Sequence, residues 1–147
     1  MSERPVGMIP AIALPYGSND PVNPAHYAGR ACADIGERLT GNGYQILKYV
    51  WRLGKKEPPF IELGKAVWYA ESEIELLKAA AVVAVGMRTA PLAFDLEDPA
   101  AFLKLRIQDQ PHLTQTIARM LWYGYNADEM QAIRGLLDQE RKKHASS

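Results

Sequence analysis

Between residues 45 and 56 the chain reads QILKYVWRLGKK. At about 100° per residue, Ile46, Leu47, Val50, Trp51 and Leu53 cover one broad side of a helix, and Gln45, Lys48, Tyr49 and Arg52 share the other. The first side is built to pack and the second carries cations. Pro58 and Pro59 interrupt this helix, and a second one starts near Phe60 and meets no breaker before Val85 or Gly86. Along it Leu63, Val67, Ala70, Ile74 and Leu77 form an apolar stripe, and Glu62, Lys65, Tyr69 and Glu73 a polar one. If the two apolar stripes pack as an antiparallel hairpin, Lys48, Arg52, Lys65 and Tyr69 converge on one cationic, hydrogen-bonding cleft that suits a phosphate.

The flanks are read from their breakers. Pro5, Pro10, Pro15, Pro21 and Pro24 deny a long helix before residue 25 and predict an extended arm. Residues 20–27, DPVNPAHY, predict a turn-rich loop that presents His26 and Tyr27 to the cleft, followed by a short helix over 31–39 that Gly41 and Gly43 end. Beyond Thr89, Asp98 before Pro99 is an N-cap, Pro111 opens another helix, and Asn126 with Glu129 three residues on caps a last one. That last helix buries Met130, Ile133, Leu136 and Leu137, and its tail, ERKKHASS, is read as solvated and frayed. Almost no strand alternation occurs anywhere. The expectation is an all-α single domain: an extended arm over 1–19, a core over 20–88 built on the central antiparallel helical hairpin, and a helical C-terminal extension over 89–147. The helices over 99–108 and 111–123 carry Phe102, Leu103, Leu105, Ile107, Leu113, Ile117, Met120, Leu121 and Trp122, more apolar surface than a hairpin easily covers. A homo-oligomer is expected from this surplus, with a compact monomer whose C-terminal helices wrap the hairpin as the rival.

Composition narrows the partners. Seventeen basic side chains balance seventeen acidic ones, so no overall positive field argues for nucleic acid or a membrane surface, and any anion site must be local. Cys32 stands alone, which excludes an internal disulfide or a cysteine-rich metal centre and suits a reducing cytoplasm. The apolar run over 79–87 is too short to span a bilayer. Gly64-Lys65-Ala66 lacks the hydroxyl that a phosphate-binding loop needs, and Pro59 stands where its first glycine belongs. No nucleophile elbow, zinc-protease helix or dinucleotide turn occurs, and His26, His112 and His144 lie too far apart in sequence to predict a histidine metal site.

Three blocks in order, DPVNPAHY, ILKYVWRLGKK and ELGKAVWYAESEIELL, follow roughly the patterns V-N-x-P-x-H-Y, G-N-x-x-K-Y-x-x-R-x-x-K and D-L-x-K-A-x-W-Y-L. Over residues 20–77 the chain thus resembles a small phage-encoded family, formerly a domain of unknown function. Characterised members of that family are nucleotide kinases that phosphorylate deoxynucleoside monophosphates without a phosphate-binding loop. The matching positions are Val22, Asn23, Pro24, His26 and Tyr27, then Lys48, Tyr49, Arg52 and Lys55 or Lys56, then Leu63, Lys65, Ala66, Trp68 and Tyr69. Tyr44 and Gln45 stand where the family has Gly-Asn, and Glu62 replaces its aspartate; Gly41-Asn42 lies nearby but out of register with Lys48.

The resemblance implies a cytoplasmic enzyme of the infected host cell that takes a nucleoside triphosphate as phosphate donor. Phosphoryl transfer asks mainly for positioning and charge neutralisation. Arg52 and Lys48 are therefore expected to clamp the transferring phosphates and Lys65 to balance charge. Asn23, His26 and Tyr27 are expected to orient the acceptor, with Gln45, Tyr49, Lys55, Lys56 and Tyr69 as further substrate contacts. Glu62 and Glu73 are candidate magnesium ligands, or else intrahelical partners of the neighbouring lysine. Two other functions compete: an all-α nucleotide pyrophosphohydrolase built on Glu71, Glu73 and Glu75, and a non-catalytic phage protein that binds nucleotides or a host protein. Plain solvated helix charges and core aromatics account for the same spacing.

Overall fold

A computed structural model describes residues 24–83, 95–123 and 126–145, with side chains from residue 30 to 79 in the first stretch. The described residues form six helices: α1 (Pro24–Gly36), α2 (Gly41–Trp51), α3 (Pro59–Val83), α4 (Pro99–Ile107), α5 (His112–Tyr123) and α6 (Ala127–Lys143). The protein is all-α. Among the described residues, no helix is long and apolar enough to cross a membrane.

Two helix starts differ from the sequence expectation. Helix α1 begins at Pro24, so His26 and Tyr27 lie in a helix where a loop was expected. Proline fits the first helical position because its missing N–H would have had no intrahelical partner there. Helix α2 begins at Gly41 because Thr40 caps it, its side chain accepting from the Gly43 N–H at 3.1 Å. The two glycines therefore open α2 and do not merely end α1. The caps at Asp98 and Asn126 form as expected, accepting from Ala101 N–H at 3.1 Å and Glu129 N–H at 2.8 Å. Gly54, with φ of 80°, turns the chain after α2, a backbone region where a side chain is strained. Residues 1–23, and with them the arm and Asn23, lie outside the described residues, as do the side chains of His26 and Tyr27.

Helix α3 lies between α2 and α6. Its contacts to α2 pair Asn42 with Glu73, Tyr49 with Tyr69 and Arg52 with Glu62, in opposite order along the two helices. Towards α6, Arg141 packs over the Phe60 ring and Arg134 pairs with Glu71, again in opposite order. Leu63, Ala66, Ala70 and Ile74 of α3 are buried, and Met130, Ile133 and Leu137 of α6 join the same core. Arg141, expected in a solvated tail, is half-buried with its Nε shielded from water. The helix continues past it to Lys143.

The C-terminal helices close the other side. Phe102, Leu103, Ile107, Ile117, Leu121 and Trp122 are buried within this one chain, which removes most of the surplus apolar surface from which a homo-oligomer was expected. Helix α4 is tied to α1, where the Arg106 Nε donates to Asp34 at 3.3 Å, and Arg38 grips Asp95 through both terminal nitrogens at 2.5 and 2.9 Å. Arg106 also lies over the Phe102 ring, 3.6 Å from its centroid, and that ring stacks on Trp122.

The α1–α2 junction gives two tests. A Cβ placed on Gly36 would sit 2.2 Å from the Tyr44 ring, so Gly36→Ala forces that ring or the helices to shift. It is expected to cost about 1–3 kcal/mol, with Tyr44→Ala in the same chain recovering part of the loss; equal midpoints for Gly36→Ala and wild type in urea would contradict this. Cys32, buried against the same junction, has its thiol pushed up to about 12 by burial, with Lys48 and Arg52 pulling weakly the other way. The raised thiol contributes stability that is complete below the unfolded-state value near pH 9 and is lost as pH rises towards 12. A thiol reagent at pH 8 should label Cys32 at the rate of unfolding; rapid labelling of the native protein would refute its burial.

Candidate functional site

The polar stripe of α2 and that of α3 meet around one aromatic ring. Tyr49 of α2 stacks on Tyr69 of α3 with centroids 6.0 Å apart and planes 23° from parallel. Around Tyr49 lie Arg52 at 5.1 Å, Lys48 at 5.6 Å and Lys65 at 5.9 Å from the ring centroid, so the two helices bring together the three cations expected to meet. Trp68 stands edge-on to Tyr69 at 5.0 Å and is 60% exposed, whereas Trp51 and Trp122 are buried. A cationic rim and an exposed aromatic face thus adjoin one another.

The carboxylates come from the α2–α3 turn and from the polar stripe of α3. Glu57, in the α2–α3 turn, binds the Lys65 ammonium at 2.6 Å, and this hydrogen bond holds Lys65 above the usual lysine range. Glu62 is fully buried: its Oε1 accepts the Glu57 N–H at 3.3 Å, and its Oε2 lies 3.6 Å from the Arg52 Nε. Glu73 is also fully buried and accepts from Asn42 at 2.9 Å. Glu62 and Glu73 thus each have a partner on α2 or at its C-cap. Asn42, one turn before Gln45, extends the α2 stripe.

Of the three cations, Arg52 and Lys65 have carboxylate neighbours, and Lys48 has none within ion-pair distance among the described residues. Three positive charges against two negative ones leave an excess that an anion would relieve.

Not every expected residue joins the cluster. Lys55 instead lines a groove with Trp51, Gln110 and Glu140, and Lys56 is exposed in the same turn. Gln45 is half-exposed on α2. Glu62 and Glu73, eleven residues apart, are separated by about 16 Å along α3 and cannot share an ion. Among the described residues no three His, Cys, Asp or Glu side chains gather as a metal site. Glu71, Glu73 and Glu75 do not converge either, since Glu71 turns to Arg134 of α6 and Glu73 to Asn42 of α2. Gly64-Lys65-Ala66 lies inside α3, with no loop to cradle a phosphate. Compared with protein-family models, curated proteins and solved structures, the chain finds no match.

Proposed function

We propose that the chain is a deoxynucleoside monophosphate kinase without a phosphate-binding loop. The observation that supports this reading is the gathering of Lys48, Arg52 and Lys65 around Tyr49, one cation in excess of the adjoining carboxylates. In the reaction, an oxygen of the acceptor monophosphate attacks the γ-phosphorus of a nucleoside triphosphate, the bond to the bridging oxygen breaks, and a diphosphate leaves. Lys48 and Arg52 neutralise the charge on the oxygens in flight, and Lys65, tethered by Glu57, balances the remainder. Tyr69 and the exposed Trp68 offer faces on which a base can stack. Any magnesium ion arrives with the triphosphate.

Purified protein incubated with a panel of deoxynucleoside monophosphates and triphosphates, with products resolved by chromatography, tests the reading. The expected products are a deoxynucleoside diphosphate and the donor's diphosphate. Pyrophosphate release would favour the hydrolase, and binding without turnover a non-catalytic nucleotide-binding protein. Light scattering across a dilution series, run alongside, reads whether activity needs more than one subunit.

A further inference from the structure

We infer that Glu62 is a positioning residue for Arg52, fixing the inner edge of the guanidinium so that its outer edge is presented to phosphate. The inference rests on the reading of Lys48, Arg52 and Lys65 as a phosphate site. Glu62 has no exposed surface, and its Oε2 and the Arg52 Nε are both buried, 3.6 Å apart, with no hydrogen bond to either atom. The Arg52 side chain is 30% exposed, so one edge faces a buried charge and the rest reaches the surface beside Tyr49.

A buried carboxylate is a poor way to hold two helices together. Desolvating it is costly, and replacing a whole buried ion pair by apolar side chains often leaves stability unchanged or higher. The turn is already fastened by Lys65 and Glu57 at the surface. What the carboxylate adds is restraint: Arg52 lies at the C-terminal end of α2 on a long flexible stem, and ordering that stem before the ligand arrives spares the ligand the entropy of ordering it. The Glu57 N–H bond to Oε1 holds the carboxylate itself in place.

Charge and position predict opposite signs, which makes the inference testable. Glu62→Gln keeps the size of the side chain and an acceptor for the Glu57 N–H, but removes a negative charge beside the site. Were Glu62 only a nearby charge, inorganic pyrophosphate would bind more tightly to the variant. As a positioning residue, its loss weakens pyrophosphate binding, measured calorimetrically, by about tenfold. Glu62→Met, which restores an apolar fill but leaves the Arg52 Nε and the Glu57 N–H without their carboxylate, should bind as weakly as Glu62→Gln. In an Arg52→Ala background, neither change at position 62 should weaken binding further. Unchanged or tighter binding by Glu62→Gln overturns the inference, as does equal weakening in both backgrounds, which would mark an effect on the fold. If Arg52→Ala itself binds pyrophosphate normally, the phosphate-site reading falls, and the role of Glu62 with it.

Discussion

Replacing Arg52 with alanine is expected to lower phosphoryl transfer by about 10²–10³-fold, the usual cost of removing one preorganised donor from developing charge. The structure adds a consequence that a surface cation would not have. Glu62 is fully buried and Arg52 is the cation beside it, so the substitution strands a negative charge in the α2–α3 interface. Breaking a buried pair from one side costs about 3–5 kcal/mol at full burial and less here, because Arg52 is partly exposed. A melting temperature lowered by several degrees is therefore expected alongside the loss of turnover. The double change Arg52→Ala with Glu62→Gln separates the two effects: stability should return while turnover stays low. Lys48→Ala and Lys65→Ala should reduce turnover in the same direction. Lys142, 77% exposed and paired with Asp138 on its own helix, should be replaceable by alanine without effect. Near-normal turnover in Arg52→Ala, or equal losses at all four positions, would refute the assignment of the site.

These expectations depend on features that differ in how far a linear reading reaches them. The α2 and α3 stripes were legible because a helix that packs on one side must repeat its apolar residues at 3.6-residue spacing, and Ile46, Leu47, Val50, Leu63, Val67 and Ile74 do so and are buried. Convergence of Lys48, Arg52 and Lys65 followed from that packing. The burial of Glu62 and Glu73 did not, because a glutamate on a helix flank reads as solvated until a partner on another helix is known. Their partners, Arg52 and Asn42, lie 10 and 31 residues away. Thr40 was missed for a local reason. Gly41 and Gly43 look like breakers, yet in a first turn their N–H groups lack intrahelical partners anyway, and a capping hydroxyl offsets their low helix propensity. Lys55 was expected as a substrate contact from its place in the R-x-x-K pattern, and the turn around Gly54 sets it in a groove with residues of α5 and with Glu140.

The C-terminal helices carry the largest expected effect on stability. Their apolar content was visible in the sequence, but where it goes was not, and the structure covers most of it against the first three helices. Removing residues 89–147 is therefore expected to abolish cooperative folding, even though the expected phosphate-site cations all lie before residue 89. Helix α6 alone buries Met130, Ile133 and Leu137 beside α3. At about 1.5–3 kcal/mol for each such side chain, those three are comparable with the 5–15 kcal/mol net stability of a typical domain. Helix α5 adds Ile117, Leu121 and a Thr114 hydroxyl that donates to the Val50 carbonyl at 3.4 Å, and α4 adds Phe102 and the Arg106–Asp34 pair to α1. Without them the outer sides of α1, α2 and α3 meet water, and the helices that carry Lys48, Arg52 and Lys65 lose the support that sets their spacing. Circular dichroism of the 1–88 fragment should show a shallow, non-sigmoidal melt and the fragment should bind a hydrophobic dye. A sharp transition within a few degrees of the full chain, with turnover intact, would show instead that the first three helices form an independent catalytic unit.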